Sequence, residues 1–240
     1  MAGEREKADV ETSSEGYARR FAGPVGRYFL ERQAEDTLDL LRPFPAASVL
    51  DVGGGHAQLT GPLVEAGYAV TVLGSDASCE ERLRQWTAAG RARFLAGDLV
   101  APPLPDRSFE VVLSYRLLPH ISRWPELVAG LARLARRAVI VDYPTRRSVN
   151  AAAFLLFRLK KGVEGSTRPF TVFSDAEIEG AFAAHGFAPT GRRPQFFFPM
   201  ALHRGLRSAG IARSLEGTAS LLRMTRAFGS PVILRLERDA

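Results

Sequence analysis

Cysteine, lysine and long apolar runs are what this chain of 240 residues lacks. Cys79 is its single cysteine, so no intramolecular disulfide can form and a reducing compartment is expected. No apolar run reaches the roughly 18 residues that span a bilayer. The first 16 residues are polar and charged and hold no apolar stretch of the kind a secretory leader carries. The expected location is the cytoplasm. Of the 32 basic residues only Lys7, Lys160 and Lys161 are lysines. Abundant arginine and alanine are what a GC-rich coding sequence yields, so the net charge of +6 is weak support for a polyanionic partner. The arginines scatter, apart from pairs such as Arg19-Arg20, Arg136-Arg137, Arg146-Arg147 and Arg192-Arg193, and they form no single stripe. Nucleic acid is therefore not expected as a partner. An apolar content of 46% with dispersed glycine and proline excludes disordered, collagen-like and disulfide-stapled classes.

No repeat or low-complexity linker divides the chain, which reads as one domain over 16–240 behind a flexible stretch at 1–15. Helical periodicity covers 17–41, within an N-terminal part 16–45, and stops before Pro43 and Pro45. Apolar runs at 47–52, 68–73, 91–95, 109–114 and 138–142 read as strands, with helices at 57–66, 80–89 and 125–134 between them. Strands alternating with short helices imply right-handed crossovers and a doubly wound α/β sheet, mainly parallel. Beyond 145 the rhythm changes. A helix is expected at 149–161, and another at 174–185 with Ser174 as its cap and Gly186 as its stop. The last two strands, 194–199 and 231–236, complete a seven-stranded sheet and are expected to be antiparallel. Segments 145–172 and 200–229 read as additions over one end of it.

The most informative segment is Asp51-Val52-Gly53-Gly54-Gly55-His56-Ala57, where a buried strand meets a tight turn. Glycines let a backbone approach a ligand and adopt positive φ, and in an open parallel sheet such a turn lies at the carboxyl ends of strands, where ligands bind. The competing ligands can be sorted by residue type. A phosphate-binding P-loop requires Gly-Lys-Ser/Thr, and no lysine is near. The dinucleotide pattern counted from Gly53 requires Gly or Ala at 58, where Gln58 stands. A short-chain dehydrogenase would carry Tyr-x-x-x-Lys, and the place four residues after Tyr143 holds Arg147.

An acid two residues before the glycines, Asp51-x-Gly53-x-Gly55, resembles motif I of the class I S-adenosylmethionine-dependent methyltransferases. The resemblance runs from about residue 17 to the end and is strongest over 47–142. It implies a Rossmann-like seven-stranded sheet, S-adenosylmethionine as cofactor and S-adenosylhomocysteine as product. The family's third glycine is Ala57 here. Asp51 would lie near the ammonium and sulfonium of the cofactor. Asp76, in Gly74-Ser75-Asp76, is read as the ribose-binding acid, about two positions beyond the family's usual place, with the cap of the next helix as its alternative role. Gly97-Asp98 matches the pair whose carboxylate accepts from the adenine amino group, with the Leu99 N–H as donor. Gly53, Gly55 and Ser114 complete the expected cofactor set.

After the fourth strand the chain reads Ser114-Tyr115-Arg116-Leu117-Leu118-Pro119-His120, unlike the Asn/Asp-Pro-Pro-Tyr of nucleic-acid amino methyltransferases. It resembles the small-molecule branch, including enzymes of ubiquinone and menaquinone biosynthesis and of polyketide tailoring. Methyl transfer is an in-line displacement that depends on alignment, and a phenol or alcohol acceptor must also lose a proton. A histidine suits that task at neutral pH. His120 is the first candidate base and His203 the second, while His56 and His185 read as structural. Tyr17, Phe21, Tyr115, Arg116, Tyr143 and Phe173 are the candidate acceptor contacts, with Phe154, Phe157, Phe170, Phe173 and Phe196-Phe197-Phe198 as the candidate apolar lid. Arg19-Arg20 reads as solvated rather than as a cofactor-carboxylate clamp. Segment 200–229 is expected to be a lid, then a dimer face, then a surface that touches membrane. No metal is expected, because Asp98, Asp142 and Asn150 have the wrong spacing for the acid set of catechol-type enzymes. The expected activity is O-methylation of a small aromatic or polyketide-like acceptor by a monomer or homodimer. The alternatives are C-methylation of a quinol-type ring and a non-catalytic accessory protein of the same fold.

Overall fold

Seven apolar runs become the strands of one sheet in the computed structural model, which describes residues 6–149 and 170–239. In chain order the elements are α1 (Ala8–Thr12), α2 (Glu15–Ala18), α3 (Gly23–Leu41), β1 (Ser48–Val52), α4 (Thr60–Glu65), β2 (Ala69–Gly74), α5 (Arg84–Thr87), β3 (Ala92–Ala96), β4 (Phe109–Ser114), α6 (Trp124–Leu134), β5 (Ala135–Tyr143), α7 (Asp175–Ala183), β6 (Phe187–Phe196), α8 (Met200–Leu206), α9 (Ala209–Leu221), α10 (Met224–Phe228) and β7 (Ser230–Arg238). Across the sheet they run β3-β2-β1-β4-β5-β7-β6. The first five pair in parallel, and β7 is antiparallel to both β5 and β6. This is the seven-stranded doubly wound α/β sheet that the alternation implied.

Successive strand residues point to opposite faces. Val49, Val111 and Ile140 accordingly join one core cluster, and Leu50, Val112 and Val139 the other. Helices cover both faces, which is why the central strands read as continuous apolar runs rather than alternating ones. From β1 the chain moves outward to β2 and β3, then returns to β4 on the other side. That reversal opens a crevice at the carboxyl ends of β1 and β4.

Several boundaries differ from the expected ones for local reasons. The helix expected over 17–41 is interrupted: Ala22 is extended, Gly23 takes φ of 81°, and Pro24 opens α3. β6 begins at Phe187, well before the expected 194, because Pro189 and Pro194 are tolerated on an edge strand. The segment expected to be flexible at 1–15 is structured from Glu6 onward, and Ala8, Asp9 and Thr12 are buried. It is anchored by polar contacts rather than an apolar stripe, so periodicity could not reveal it. The helix expected at 149–161 lies almost wholly outside the described residues. Segment 200–229 forms α8, α9 and α10. Among the described residues no helix is long and apolar enough to cross a membrane.

Candidate active site

β1 carries Asp51 to the carboxyl edge and passes through Gly53, at φ of 80°, into a 3-10 turn at Gly54–His56. A Cβ added at Gly54 would lie 2.1 Å from Asp51 Oδ2, so the turn folds directly over the Asp51 carboxyl. That carboxyl is 0% exposed, and neither oxygen has a hydrogen-bond partner. Burial, and then the negative charge of Asp142, pushes its pKa up to about 7. A buried, unpartnered carboxylate under a glycine cradle is a group seeking a cation, and an ammonium or sulfonium answers it. The residues here therefore fit the expected cofactor. His56 on the same turn is held neutral, its pKa lowered to about 3 by burial and by the positive charge of Arg116, and its Nδ1 accepts the Gln58 N–H at 3.2 Å.

At the end of β4, Ser114 donates its hydroxyl to Val52 O at 3.2 Å, clipping β4 to β1. Arg116 takes φ of 58° and donates its backbone N–H to Asp142 Oδ1 at 2.5 Å. Its guanidinium then fans out to Gln58 Oε1 at 2.8 Å and Gln33 Oε1 at 2.6 Å, lies 4.5 Å above the Phe21 ring, and comes within 3.5 Å of the Tyr17 hydroxyl. Arg116 thus ties the N-terminal helices to the carboxyl edge, and Tyr17 does stand beside it.

Three of the expected acceptor contacts belong to the core instead. Tyr115 is fully buried, with its hydroxyl 2.7 Å from Thr37 Oγ1. Tyr143 donates to Asp175 Oδ1 at 2.9 Å, and Phe173 packs edge-on to Trp124 at 5.2 Å. Each tyrosine hydroxyl meets a polar partner on a helix, which lets a large ring fill the core at little polar cost. Sequence position after a strand could not distinguish these rings from pocket walls.

The adenosine side holds the main surprise. Asp76 uses Oδ1 to cap the following 3-10 helix at the Ser78 N–H, 2.9 Å away, and this bond holds its pKa below the usual range. The strand-end position itself is Gly74, where a Cβ would lie 2.8 Å from Cys79 Cβ and 2.9 Å from Phe94 Cε2. No acid can stand there. A carboxylate arrives instead from α1: Asp9, 0% exposed, accepts the Ser75 N–H at 2.8 Å, the Ser75 hydroxyl, and the Cys79 thiol at 3.3 Å. Ala8 beside it joins the core cluster that contains Leu73 and Leu99. Asp98 is half-buried beyond β3, and its Oδ1 accepts the N–H groups of Val100 at 2.8 Å and Ala101 at 3.2 Å, shaping the turn around Leu99.

The two candidate bases differ in setting. His120 ends the 3-10 turn Leu118–His120 and is half-buried, its ring 5.5 Å from that of Phe170. His203 is 0% exposed, with Nε2 2.8 Å from Glu216 Oε1. Glu216 also accepts the N–H groups of Phe197 at 2.9 Å and Phe198 at 3.0 Å. Nearby, Phe29, Pro144, Phe196, Phe198, Met200 and Pro231 line an almost wholly apolar cavity of about 190 Å³ at the ends of β5 and β7.

Residues 50–141 match the family of methyltransferase domains. The chain is 25% identical over 169 residues to a ubiquinone biosynthesis O-methyltransferase of Rhizobium leguminosarum bv. trifolii, covering 66% of each chain. It is 34% identical over 122 residues to nocamycin O-methyltransferase of Saccharothrix syringae, covering 47% of this chain and 42% of that one. The matched stretch therefore spans less than two thirds of either relative. Among solved structures, the S-adenosylhomocysteine-bound magnesium protoporphyrin IX methyltransferase of Synechocystis PCC 6803 superposes with a TM-score of 0.65 at 17% identity, covering 95% of this chain and 96% of that one. Fold and edge together are those of a Rossmann-like methyltransferase domain, which residues 50–141 match in sequence. The chain is similar to small-molecule methyltransferases that use S-adenosylmethionine, the cofactor its carboxyl edge fits.

Proposed function

We propose that this protein methylates an oxygen of a small, apolar or aromatic acceptor, with His120 as the base. The observation that carries this reading is the pairing of the Asp51 cradle with the apolar cavity on the same edge of the sheet. A cavity of about 150 Å³ lined by apolar side chains accepts benzene, so the 190 Å³ between Phe29, Phe196 and Pro144 suits a single ring. The O-methyltransferase names of the matched relatives point the same way.

S-adenosylmethionine supplies an electrophilic methyl group when bound. Asp51 attracts the cationic end, with the backbone of Gly53 and Gly55 leaving room for it. Asp98 and the Leu99 N–H face the adenine. Asp9, rather than Asp76, serves the ribose hydroxyls, since its carboxylate is the one present at the end of β2. Ser114 supports the cradle from behind through Val52. Arg116, bound to Asp142 and lying over Phe21, fixes the N-terminal helices and leaves the Tyr17 ring at the rim. His120 removes the acceptor proton, a role an imidazole can fill at neutral pH.

A second base has one observation in its favour. His203 Nδ1 has no partner, and its ring lies 5.6 Å from Phe29, which lines the cavity. Calorimetric titration with S-adenosylhomocysteine, followed by a methylation screen of phenols, quinols and amines, tests the proposal. Micromolar binding with phenol O-methylation supports it. Binding without turnover on any acceptor points to the accessory reading, and absence of binding removes it altogether.

A further inference from the structure

A second cavity, of about 510 Å³, lies where the chain enters α3 and α8 leaves the sheet. Its walls are residues 22–26 and four arginines from two distant segments: Arg19 and Arg20 from the turn before α3, Arg204 and Arg207 from the end of α8. No acidic residue lines it. Elsewhere Arg32, Arg82, Arg133, Arg146, Arg192 and Arg193 each face a carboxylate. Of the four cavity arginines only Arg20 has such a partner, Glu11 at 3.4 Å. Among the described residues no ion pair joins Arg19, Arg204 or Arg207 to an acid. Arg204 is nonetheless held in place, with Nη2 2.9 Å from Arg20 O and 3.0 Å from Met200 Sδ. Burial, and then the charge of Arg20, lowers its pKa, with Tyr17 acting the other way, so the guanidinium is set against like charge.

The two cavities share α3 and α8: Phe29 and Met200 line the apolar one, Val25 and Arg204 the arginine one. An acceptor whose ring lies in the first has the arginines along the same two helices. Guanidinium groups present donors in a fork that matches carboxylate and phosphate oxygens, often two at a time.

We propose that the arginine cavity binds an anionic group, a carboxylate or phosphate, carried by the acceptor, so that the substrate is an acid with an apolar body. This rests on the proposed methyltransferase function and adds the charge of the substrate to it.

The test uses the full chain and inorganic phosphate, with benzoate as a second probe, each titrated in the presence of saturating S-adenosylhomocysteine. Saturable binding is expected, weakening as salt rises, and at least fivefold weaker in the Arg204→Gln/Arg207→Gln double variant. Both side chains are exposed, so the variant should melt like the native protein and bind S-adenosylhomocysteine equally well. Equal binding of phosphate and benzoate to native and variant proteins overturns the proposal. So does binding of phosphatidylglycerol vesicles that depends on these arginines when neither soluble probe binds, since that assigns the cavity to a lipid headgroup. Loss of S-adenosylhomocysteine binding in the native protein would instead count against the methyltransferase reading, and phosphate binding without the cofactor keeps the two failures apart.

Discussion

The Asp9 carboxylate accepts the backbone N–H of Ser75 at 2.8 Å, across 66 residues of sequence and immediately beyond the end of β2. It stands beside Gly74, the strand-end position that Cys79 and Phe94 close to any side chain. If Asp9 serves the ribose hydroxyls, Asp9→Asn should weaken S-adenosylhomocysteine binding roughly 10- to 100-fold, since a hydrogen bond to a charged group contributes about 1.5–3 kcal/mol. Asp76→Ala, which removes only a cap, should leave affinity within about twofold and cost about 1 kcal/mol of stability. Calorimetry on the two variants decides between them. Tighter binding in Asp9→Asn would make α1 a competitor of the cofactor instead.

Asp51 predicts a pH dependence. With its pKa near 7 in the folded, ligand-free protein, the carboxyl must lose a proton to meet a cation. Affinity for S-adenosylmethionine should therefore rise from pH 6 to 8 and level off above, with protons released to buffer on binding. Titrations in buffers of different ionisation enthalpy read that release directly. A flat profile in the native protein would mean that Asp51 does not face the cation.

The same group predicts a stability gain. A carboxyl whose folded pKa is about 7, against an unfolded value near 3.9, binds more protons folded than unfolded between those limits. Its contribution is fully present below the unfolded value and lost as pH rises through the folded one. Asp51→Asn cannot ionise, so the variant should melt above the native protein at pH 8, with the gap closing toward pH 4. It should also lose cofactor binding, which is the exchange of stability for function expected at a binding site.

Ala57 occupies the left-handed region at φ of 59°, where the family's pattern has glycine. A side chain there costs roughly 1–2 kcal/mol, offset in part by about 0.4–1 kcal/mol from the stiffer unfolded chain. Ala57→Gly should raise stability by about 0.5–1 kcal/mol and leave S-adenosylhomocysteine affinity unchanged. Denaturant titration checks the first and calorimetry the second.

The sheet was legible because its strands are buried on both faces and its turns carry glycine, so run length and punctuation were enough. The placing of Asp51, Gly53 and the Asp98 turn at strand ends was legible for the same reason, since each is local to a strand end. The place of Asp9 was not, because it depends on a contact 66 residues away and on the filling of space around Gly74, neither of which leaves a periodic trace. Tyr115 and Tyr143 mislead in the opposite direction. Their positions after β4 and at the end of β5 suit a pocket, but Thr37 and Asp175 supply the hydroxyl partners that permit burial.

The two histidines should separate cleanly. Glu216, 6% exposed, holds His203 and two backbone N–H groups at once, so the cluster fastens α8 and α9 to the end of β6. Leaving a buried donor without its acceptor costs about 1–3 kcal/mol, and Glu216→Ala should lower the melting temperature accordingly. His203→Ala should be destabilising as well, while retaining turnover at temperatures where it stays folded. His120→Ala, on the rim, should melt within about 1 kcal/mol of native, as surface changes usually do, and bind S-adenosylhomocysteine normally. Its turnover should fall about 100-fold or more, in line with the loss of a general base. If His203→Ala is the variant that folds but fails to turn over, the base is the buried histidine and Phe198 must move to admit the acceptor.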